Sequence, residues 1–155
     1  MIYIASLFHD GISSTVEQGN QKILTDHGFG NKIAILGGDF LLGRASWALS
    51  QLGENEVVEL IASVISNLVE GQFLQMDQIK TTSSRVHPLP DSLSDAWDRY
   101  SKRLYLKTAS LMAKGARSAV ILGGCREGDV LRDVAYEYGR NLGIAFQVRQ
   151  SFSLG

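Results

Sequence analysis

The feature that most constrains the fold is a long apolar stretch at residues 29–50, FGNKIAILGGDFLLGRASWALS. Its large apolar side chains recur at steps of three and four residues, which predicts a helix that is apolar over most of its circumference. We expect such a helix to lie inside a bundle. Gly37 and Gly38 each cost a helix interior about 1 kcal/mol relative to alanine, which indicates that another backbone approaches closely. Asp39 would then be a buried charge that needs a partner.

A nucleotide-binding alternative comes from the sequence ILGG, which occurs at residues 35–38 and again at 121–124. Such a segment could be a strand that enters a glycine-rich phosphate loop. Neither copy continues into GxGxxG or into GxxxxGK followed by Ser or Thr, so the spacing that such a loop requires is missing.

The rest of the chain is also predicted to consist of helices and loops. Apolar spacing predicts a helix from Met1 to His9 that ends at Asp10-Gly11, and another that starts at Asn55 and carries apolar rows as far as Met76. Its polar C-terminal end is either solvated or directed into a polar cavity. Two later helices are predicted at about 94–122 and 128–148, and loops at 11–28 and 80–92. By pattern alone the chain is one all-α domain, residues 1–155, or part of one.

Charge and composition exclude several classes of function. The net charge of −1 gives no reason to expect nucleic acid or an anionic membrane as a partner. The single cysteine, Cys125, excludes an internal disulfide and a multi-cysteine zinc site. His9 and His27, with Asp10 and Asp26, match no metal-ligand spacing. No run of eighteen apolar residues lacks a charge or a glycine, so no membrane span is predicted. Both ends of the chain fall in apolar, helix-like sequence, and we expect it to be truncated at both.

Four blocks, in one order, resemble the trans-polyprenyl diphosphate synthases over nearly the whole chain. They are FGNKIAILGGDFLLGRAS, NLVEGQFLQM, YLKTASLMAKGARSAVILGG and YGRNLGIAFQ. The resemblance implies part of an isoprenoid-synthase helical bundle around a central cavity, working as a dimer. It implies elongation of an allylic diphosphate with isopentenyl diphosphate, most like the long-chain enzymes of the ubiquinone side chain. It also implies a mitochondrial location; without it, the expectation would be cytoplasmic.

The resemblance further implies two DDxxD motifs whose carboxylates hold Mg²⁺ against the departing diphosphate. In this sequence the first motif begins at Asp10, but its other aspartate positions fall on Gly11 and Ser14. The arginine pair expected after it falls on Gly19-Asn20. The second motif falls on three residues without a carboxylate: Gln150, Ser151 and Leu154. Asp10 is therefore the one metal-ligand position that remains, and it is a doubtful site for Mg²⁺.

Other functional positions of the family are kept. Lys107 and Thr108 match the Lys-Thr pair that contacts the allylic diphosphate, and Gln147 matches a glutamine near the second motif. The pair lies on a helix made basic by several residues, which would ordinarily form a solvated face: Lys102, Arg103, Lys107, Lys114 and Arg117. Ala5, followed by Ser6, occupies the position where a small residue leaves the product pocket open, as in long-chain enzymes.

Three functions follow as alternatives. The first is a non-catalytic subunit that forms a homo- or heterodimer with a polyprenyl diphosphate synthase through its central helices. The FGNKIAIL-type block and the missing aspartates resemble the second subunit of decaprenyl diphosphate synthase. The second is a truncated piece of an active synthase, since YLKTASL and EYGRNLGIAFQ are closer to the catalytic subunit. The third is an unrelated helical interaction module. In each case we expect no condensation of isopentenyl diphosphate by this chain alone.

Overall fold

The structure, a computed structural model, describes the backbone of residues 1–11, 21–83 and 93–153, and the side chains of residues 1–11, 29–74 and 93–149. Every regular element in these ranges is a helix, which confirms the all-α prediction. In chain order they are α1 (Ile2–Asp10), α2 (Gln21–Ser50), α3 (Asn55–Ser83), α4 (Leu93–Leu104), a five-residue π-helical turn, here the π-turn (Tyr105–Ala109), α5 (Ser110–Leu122) and α6 (Val130–Ser153). The backbone divides into two compact units, Met1–Gly53 and Glu54–Gly155. A single domain over 1–155 stays a prediction.

The predicted helices are confirmed in position, but two predicted loops are shorter than expected. Residues 21–28 belong to α2 and residues 80–83 belong to α3. No proline interrupts either segment, and Pro88 is the first proline in the chain, so nothing in the backbone stops these helices earlier. The remaining residues of both predicted loops, 12–20 and 84–92, lie outside the described residues. At the other end, α6 continues past Val148 to Ser153.

In the first unit, α1 packs against α2 at the glycine pair. A Cβ on Gly38 would collide with the His9 ring, and a Cβ on Gly37 would lie 3.7 Å from the Phe8 ring. The glycine pair is tightly packed, but the predicted approach of a second backbone is wrong, because side-chain rings of α1 fill the space. Asp39 was expected to be buried, but its side chain is 62% exposed and lies 3.4 Å from the Nε2 atom of His9.

The prediction that α2 is buried is wrong for this chain. Five of its large apolar side chains form an exposed row, the α2 seam, and are between 51% and 67% exposed: Phe29, Ile33, Leu36, Phe40 and Trp47. At 100° per residue the seam lies opposite Gly38, where α1 packs. The apolar pattern correctly marked a packing surface. It could not show that α1 would cover only the opposite side of the helix.

In the second unit, α5 and α6 run antiparallel in very close contact. A Cβ on Gly139 would collide with the Met112 carbonyl oxygen, and one on Gly143 would lie 2.6 Å from the Ala109 Cα. Ala109 and Ala113 are fully buried at this contact. Small residues on both helices thus let the two backbones approach, and they bring α6 against the π-turn.

Helix α3 packs against α5 and the π-turn, and Val57 and Val64 are buried in the core. Residues Asn55–Leu74 are long and apolar enough to cross a membrane by length and composition alone, although the core helix of a soluble protein passes the same test. The charges Glu56, Glu59 and Glu70 interrupt this segment, which is why the sequence criterion did not select it.

Arg132 joins the start of α3 to the loop before α6. The residue is only 7% exposed. Its guanidinium donates to both carboxylate oxygens of Glu56, at 3.0 and 2.8 Å, and to the Cys125 carbonyl oxygen, at 3.1 and 2.6 Å. Nothing in the sequence marks this contact, because an arginine near a helix start carries no pattern that distinguishes it from a solvated one.

Candidate functional site

Two of the predicted site residues, Lys107 and Thr108, lie on the π-turn. Single π-helical turns within α-helices are rare, and they are frequent at functional sites. The sequence predicts one uninterrupted helix here, because no proline or glycine marks the irregular turn. The π-turn places Thr108 toward the core, where it is 2% exposed, and leaves Lys107 partly exposed.

The predicted residues Thr108 and Gln147 are brought together by a hydrogen bond, although they are 39 positions apart in the chain. The Thr108 hydroxyl donates to the Gln147 Oε1 atom over 2.8 Å. Because Oε1 is the acceptor, the other end of the amide is Nε2, which carries two N–H donors. The Lys107 ammonium and this amide are donor groups of the kind that bind phosphate oxygens.

The third element at the π-turn is α3, which approaches through a glycine. A Cβ on Gly71 would lie 3.2 Å from the Leu106 Cβ and 3.3 Å from the Lys107 Cγ. The backbone of α3 therefore lies directly against the aliphatic part of the Lys107 side chain. Gly71 lies in the family-like block NLVEGQFLQM, but the sequence alone gives it no role.

The π-turn has a second hydrogen bond to α6. The hydroxyl groups of Tyr105 and Tyr136 are 2.6 Å apart. Burial, followed by the hydrogen bond with Tyr136, raises the pKa of Tyr105 to about 12, so this hydroxyl is neutral near pH 7. The first residue of the π-turn and Thr108 are thus both bonded to α6, and this restrains the turn that carries Lys107.

The basic residues around the π-turn do not simply form the solvated face that was expected, because Lys102, Lys114 and Arg117 have partners on other helices. Lys102 pairs with Glu70 at 2.7 Å, and Arg117 pairs with Asp133 at 3.1 Å. The Lys114 ammonium donates to the Ser63 Oγ atom at 2.7 Å. When the Asn67 amide is oriented so that its nitrogen donates to the Ser63 carbonyl oxygen, its oxygen accepts a hydrogen bond from the Lys114 ammonium at 3.1 Å. Burial lowers the pKa of Lys114 below its usual value.

The remaining predicted site residues belong to the first unit. Ala5 is fully buried on α1, and the Ser6 hydroxyl donates to the Tyr3 carbonyl oxygen at 2.8 Å. Asp10 is the exposed last residue of α1. The product-pocket role of Ala5 and Ser6 and the metal role of Asp10 stay predictions.

The residues present do not fit the magnesium site that the family resemblance implies. The part of the chain with described side chains contains no group of three or more His, Cys, Asp or Glu that could hold a metal ion. Gly11 has no side-chain ligand, and the other altered motif positions lie where side chains are not described. None of those positions is a carboxylate in the sequence: Ser14, Gln150, Ser151 and Leu154.

Comparisons with known proteins agree with the fold and with the sequence blocks. A family model described as "Polyprenyl synthetase" matches residues 1–150. The chain is 45% identical to a probable mitochondrial hexaprenyl pyrophosphate synthase of Neurospora crassa and 39% identical to decaprenyl-diphosphate synthase subunit 1 of Schizosaccharomyces pombe. Each match covers 96% of the chain, but only 32% and 37% of those proteins.

A solved structure shows the same relationship. The apo form of an Arabidopsis medium/long-chain length prenyl pyrophosphate synthase superposes with a TM-score of 0.69 at 33% identity. The match covers 97% of the chain and 40% of that structure. The chain thus spans about a third of the length of the curated relatives. The family match over nearly all its residues contradicts the unrelated-module alternative, and the chain belongs to the polyprenyl synthetase family.

Proposed function

We propose that this chain is a non-catalytic subunit of a long-chain polyprenyl diphosphate synthase, and that it binds the diphosphate group of an allylic substrate at the π-turn. The observation that carries the proposal is the hydrogen bond between Thr108 and Gln147 beside Lys107. Three residues matched to the family by sequence alone thus belong to one turn and the helix bonded to it.

The chemistry of these side chains suits a diphosphate. The Lys107 ammonium supplies a positive charge and N–H donors, and the Gln147 amide also carries N–H donors. Charge-assisted hydrogen bonds to phosphate oxygens are about twice as strong as neutral ones. Thr108 acts through Gln147: its hydroxyl holds Oε1 and so determines the orientation of the amide. Binding of this kind needs no metal ligand from the chain.

Cleavage of the bond to the diphosphate, unlike its binding, requires metal ions. It develops several negative charges that divalent cations must neutralise, and those cations prefer carboxylate oxygens. With Asp10 as the one aspartate left at six motif positions, we propose that the chain does not catalyse the reaction alone. A catalytic partner would supply the missing carboxylates in its own active site.

The α2 seam supports a partner subunit. Its residues follow steps of four, three, four and seven, which is the spacing of a heptad seam that packs knobs into holes against another helix. All five side chains are exposed, and contiguous exposed apolar surface of this kind marks interaction sites. We propose that a polyprenyl synthase subunit, either a second copy or a catalytic homologue, packs on this seam.

A second candidate is a piece of an active synthase. It is favoured by the coverage of only 32% and 37% of the two curated relatives, and by the similarity to a protein named as subunit 1. Under either candidate we propose a place in ubiquinone side-chain synthesis, with an allylic diphosphate as ligand. A mitochondrial location is proposed because the Neurospora relative is named as mitochondrial.

Co-expression with a catalytic long-chain synthase tests the proposal. We expect a stable complex with more long-chain product than the catalytic subunit makes alone, and no turnover of labelled isopentenyl diphosphate by this chain with Mg²⁺. Calorimetry should show that the chain binds inorganic pyrophosphate and that Lys107→Met weakens this binding. A chain that condenses isopentenyl diphosphate unaided would refute the non-catalytic role, and an insoluble chain that forms no complex would favour the fragment.

A further inference from the structure

We infer that Gly71 of α3 is a positioning residue for Lys107, and that the absence of a side chain at Gly71 sets where the lysine ammonium can meet a diphosphate. The inference rests on the proposed diphosphate site and adds a residue to it. It assigns to α3 a part in a site whose other residues lie on the π-turn and α6.

The geometry at Gly71 is tight on the side of the lysine. A Cβ at this position would lie 3.3 Å from the Lys107 Cγ, 3.5 Å from its backbone nitrogen and 3.2 Å from the Leu106 Cβ. The contact with the Lys107 nitrogen is an ordinary van der Waals contact, but the two shorter contacts require a neighbour to shift by a few tenths of an ångström. The Lys107 side chain extends from that same Cγ, so a shift there is transmitted to the ammonium group.

A glycine at position 71 lowers the stability of helix α3 relative to alanine, and the close contact with Lys107 gives a reason for having it there. Glycine in a helix interior is less favourable than alanine, and Gly71 is a buried residue well inside α3. Gly115 in α5 is equally interior, but a Cβ there would meet nothing within 4 Å. The two glycines therefore separate the general effect of glycine in a helix from the specific effect of the contact with Lys107.

The two helices that flank the π-turn then have complementary roles. Helix α6 holds Thr108 through the hydrogen bond from its hydroxyl to Gln147. Helix α3 bounds the stem of Lys107 through the bare backbone of Gly71. Displacement of a charged donor by a fraction of an ångström weakens a charge-assisted hydrogen bond while leaving the fold intact.

The test compares Gly71→Ala with the matched control Gly115→Ala, using inorganic pyrophosphate as the probe in calorimetry and thermal unfolding as the second measurement. We expect Gly71→Ala to weaken pyrophosphate binding about threefold to tenfold, a loss of about 0.7–1.4 kcal/mol, without lowering Tm. We expect Gly115→Ala to leave affinity unchanged. A merely structural role for Gly71 would lower Tm and affinity together, and that result would overturn the inference.

A double-mutant cycle with Lys107→Met tests the diphosphate site at Lys107 and the positioning role of Gly71 separately. If Gly71 acts through the lysine, Gly71→Ala adds no further loss once Lys107 is methionine. If Lys107→Met itself leaves binding unchanged, the proposed site fails. If only Lys107→Met weakens binding, the inference about Gly71 fails alone.

Discussion

Gly143 of α6 lies so close to Ala109 that a Cβ on the glycine would be 2.6 Å from the Ala109 Cα and 3.1 Å from its Cβ. Ala109 is the last residue of the π-turn and is fully buried. This contact brings α6 against the turn that carries Lys107 and Thr108. The short distance between α5 and α6 therefore also determines the geometry of the candidate site.

Gly143→Ala should lower the free energy of unfolding by about 1–3 kcal/mol, because the added methyl group meets backbone that cannot move away cheaply. Denaturant titration of the purified chain measures this loss. Gly115→Ala is the control, since the space around it is open, and it should stabilise the chain by about 0.5–1 kcal/mol. Equal effects at the two glycines would contradict the close packing of α6 on the π-turn.

Arg132→Met should destabilise the chain by about 2–3 kcal/mol. It removes the donors to Glu56 and to the Cys125 carbonyl oxygen from a buried position, and charged hydrogen bonds at such positions are costly to lose. Arg140→Met removes an exposed ion pair with Glu137 and should cost less than about 1 kcal/mol. Urea unfolding midpoints compare the two. If the losses were equal, Arg132 would not join α3 to the loop before α6.

Much of the fold followed from the sequence because helical periodicity is a local property. The approximate positions of the helices came from apolar spacing, and the tight packing at Gly38 followed from the cost of glycine in a helix, although side chains rather than a backbone fill that space. The π-turn was missed because it depends on contacts between helices: Thr108 bonds Gln147, and Gly143 packs on Ala109. No local pattern encodes either contact.

Burial was the weakest prediction, since apolar spacing indicates a surface that packs but not what covers it. Helix α6 illustrates this, because Val130, Val134, Tyr138 and Leu142 follow helical spacing and are all exposed. The candidate site was found by family resemblance rather than by physical pattern. The Tyr105–Tyr136 pair and the contact at Gly71 had no sequence signal, because tyrosine and glycine occur in helices for many reasons.

Thr108→Val should weaken pyrophosphate binding about threefold to tenfold, since it removes the hydroxyl that orients the Gln147 amide while keeping the shape of the side chain. Calorimetry measures the affinity. Ser118→Ala is a matched control, because that buried hydroxyl donates to the Lys114 carbonyl oxygen within α5 and has no contact with Gln147. If Thr108→Val binds pyrophosphate with unchanged affinity, the Thr108 hydroxyl has no role in the diphosphate site.

Tyr105 makes the stability of the second unit dependent on alkaline pH. Its pKa is about 12 in the fold and 10.0 otherwise, so the fold favours the protonated hydroxyl. That contribution is complete below about pH 10 and is lost as pH rises through about 12. Urea unfolding from pH 8 to 11 should show a steeper decline in the native chain than in Tyr105→Phe. Identical slopes would mean that the Tyr105–Tyr136 hydroxyl pair does not stabilise the fold.

Phe40→Asp should abolish association through the α2 seam. Phe40 is an inner residue of the seam and is 66% exposed. An aspartate there places an unpaired charge in the apolar interface with a partner helix and costs little in the free chain. Analytical ultracentrifugation, alone and with a catalytic synthase, measures the association. Ser46→Asp adds the same charge at an exposed position outside the seam and should leave association intact. Complex formation by Phe40→Asp at native affinity would show that the partner packs elsewhere.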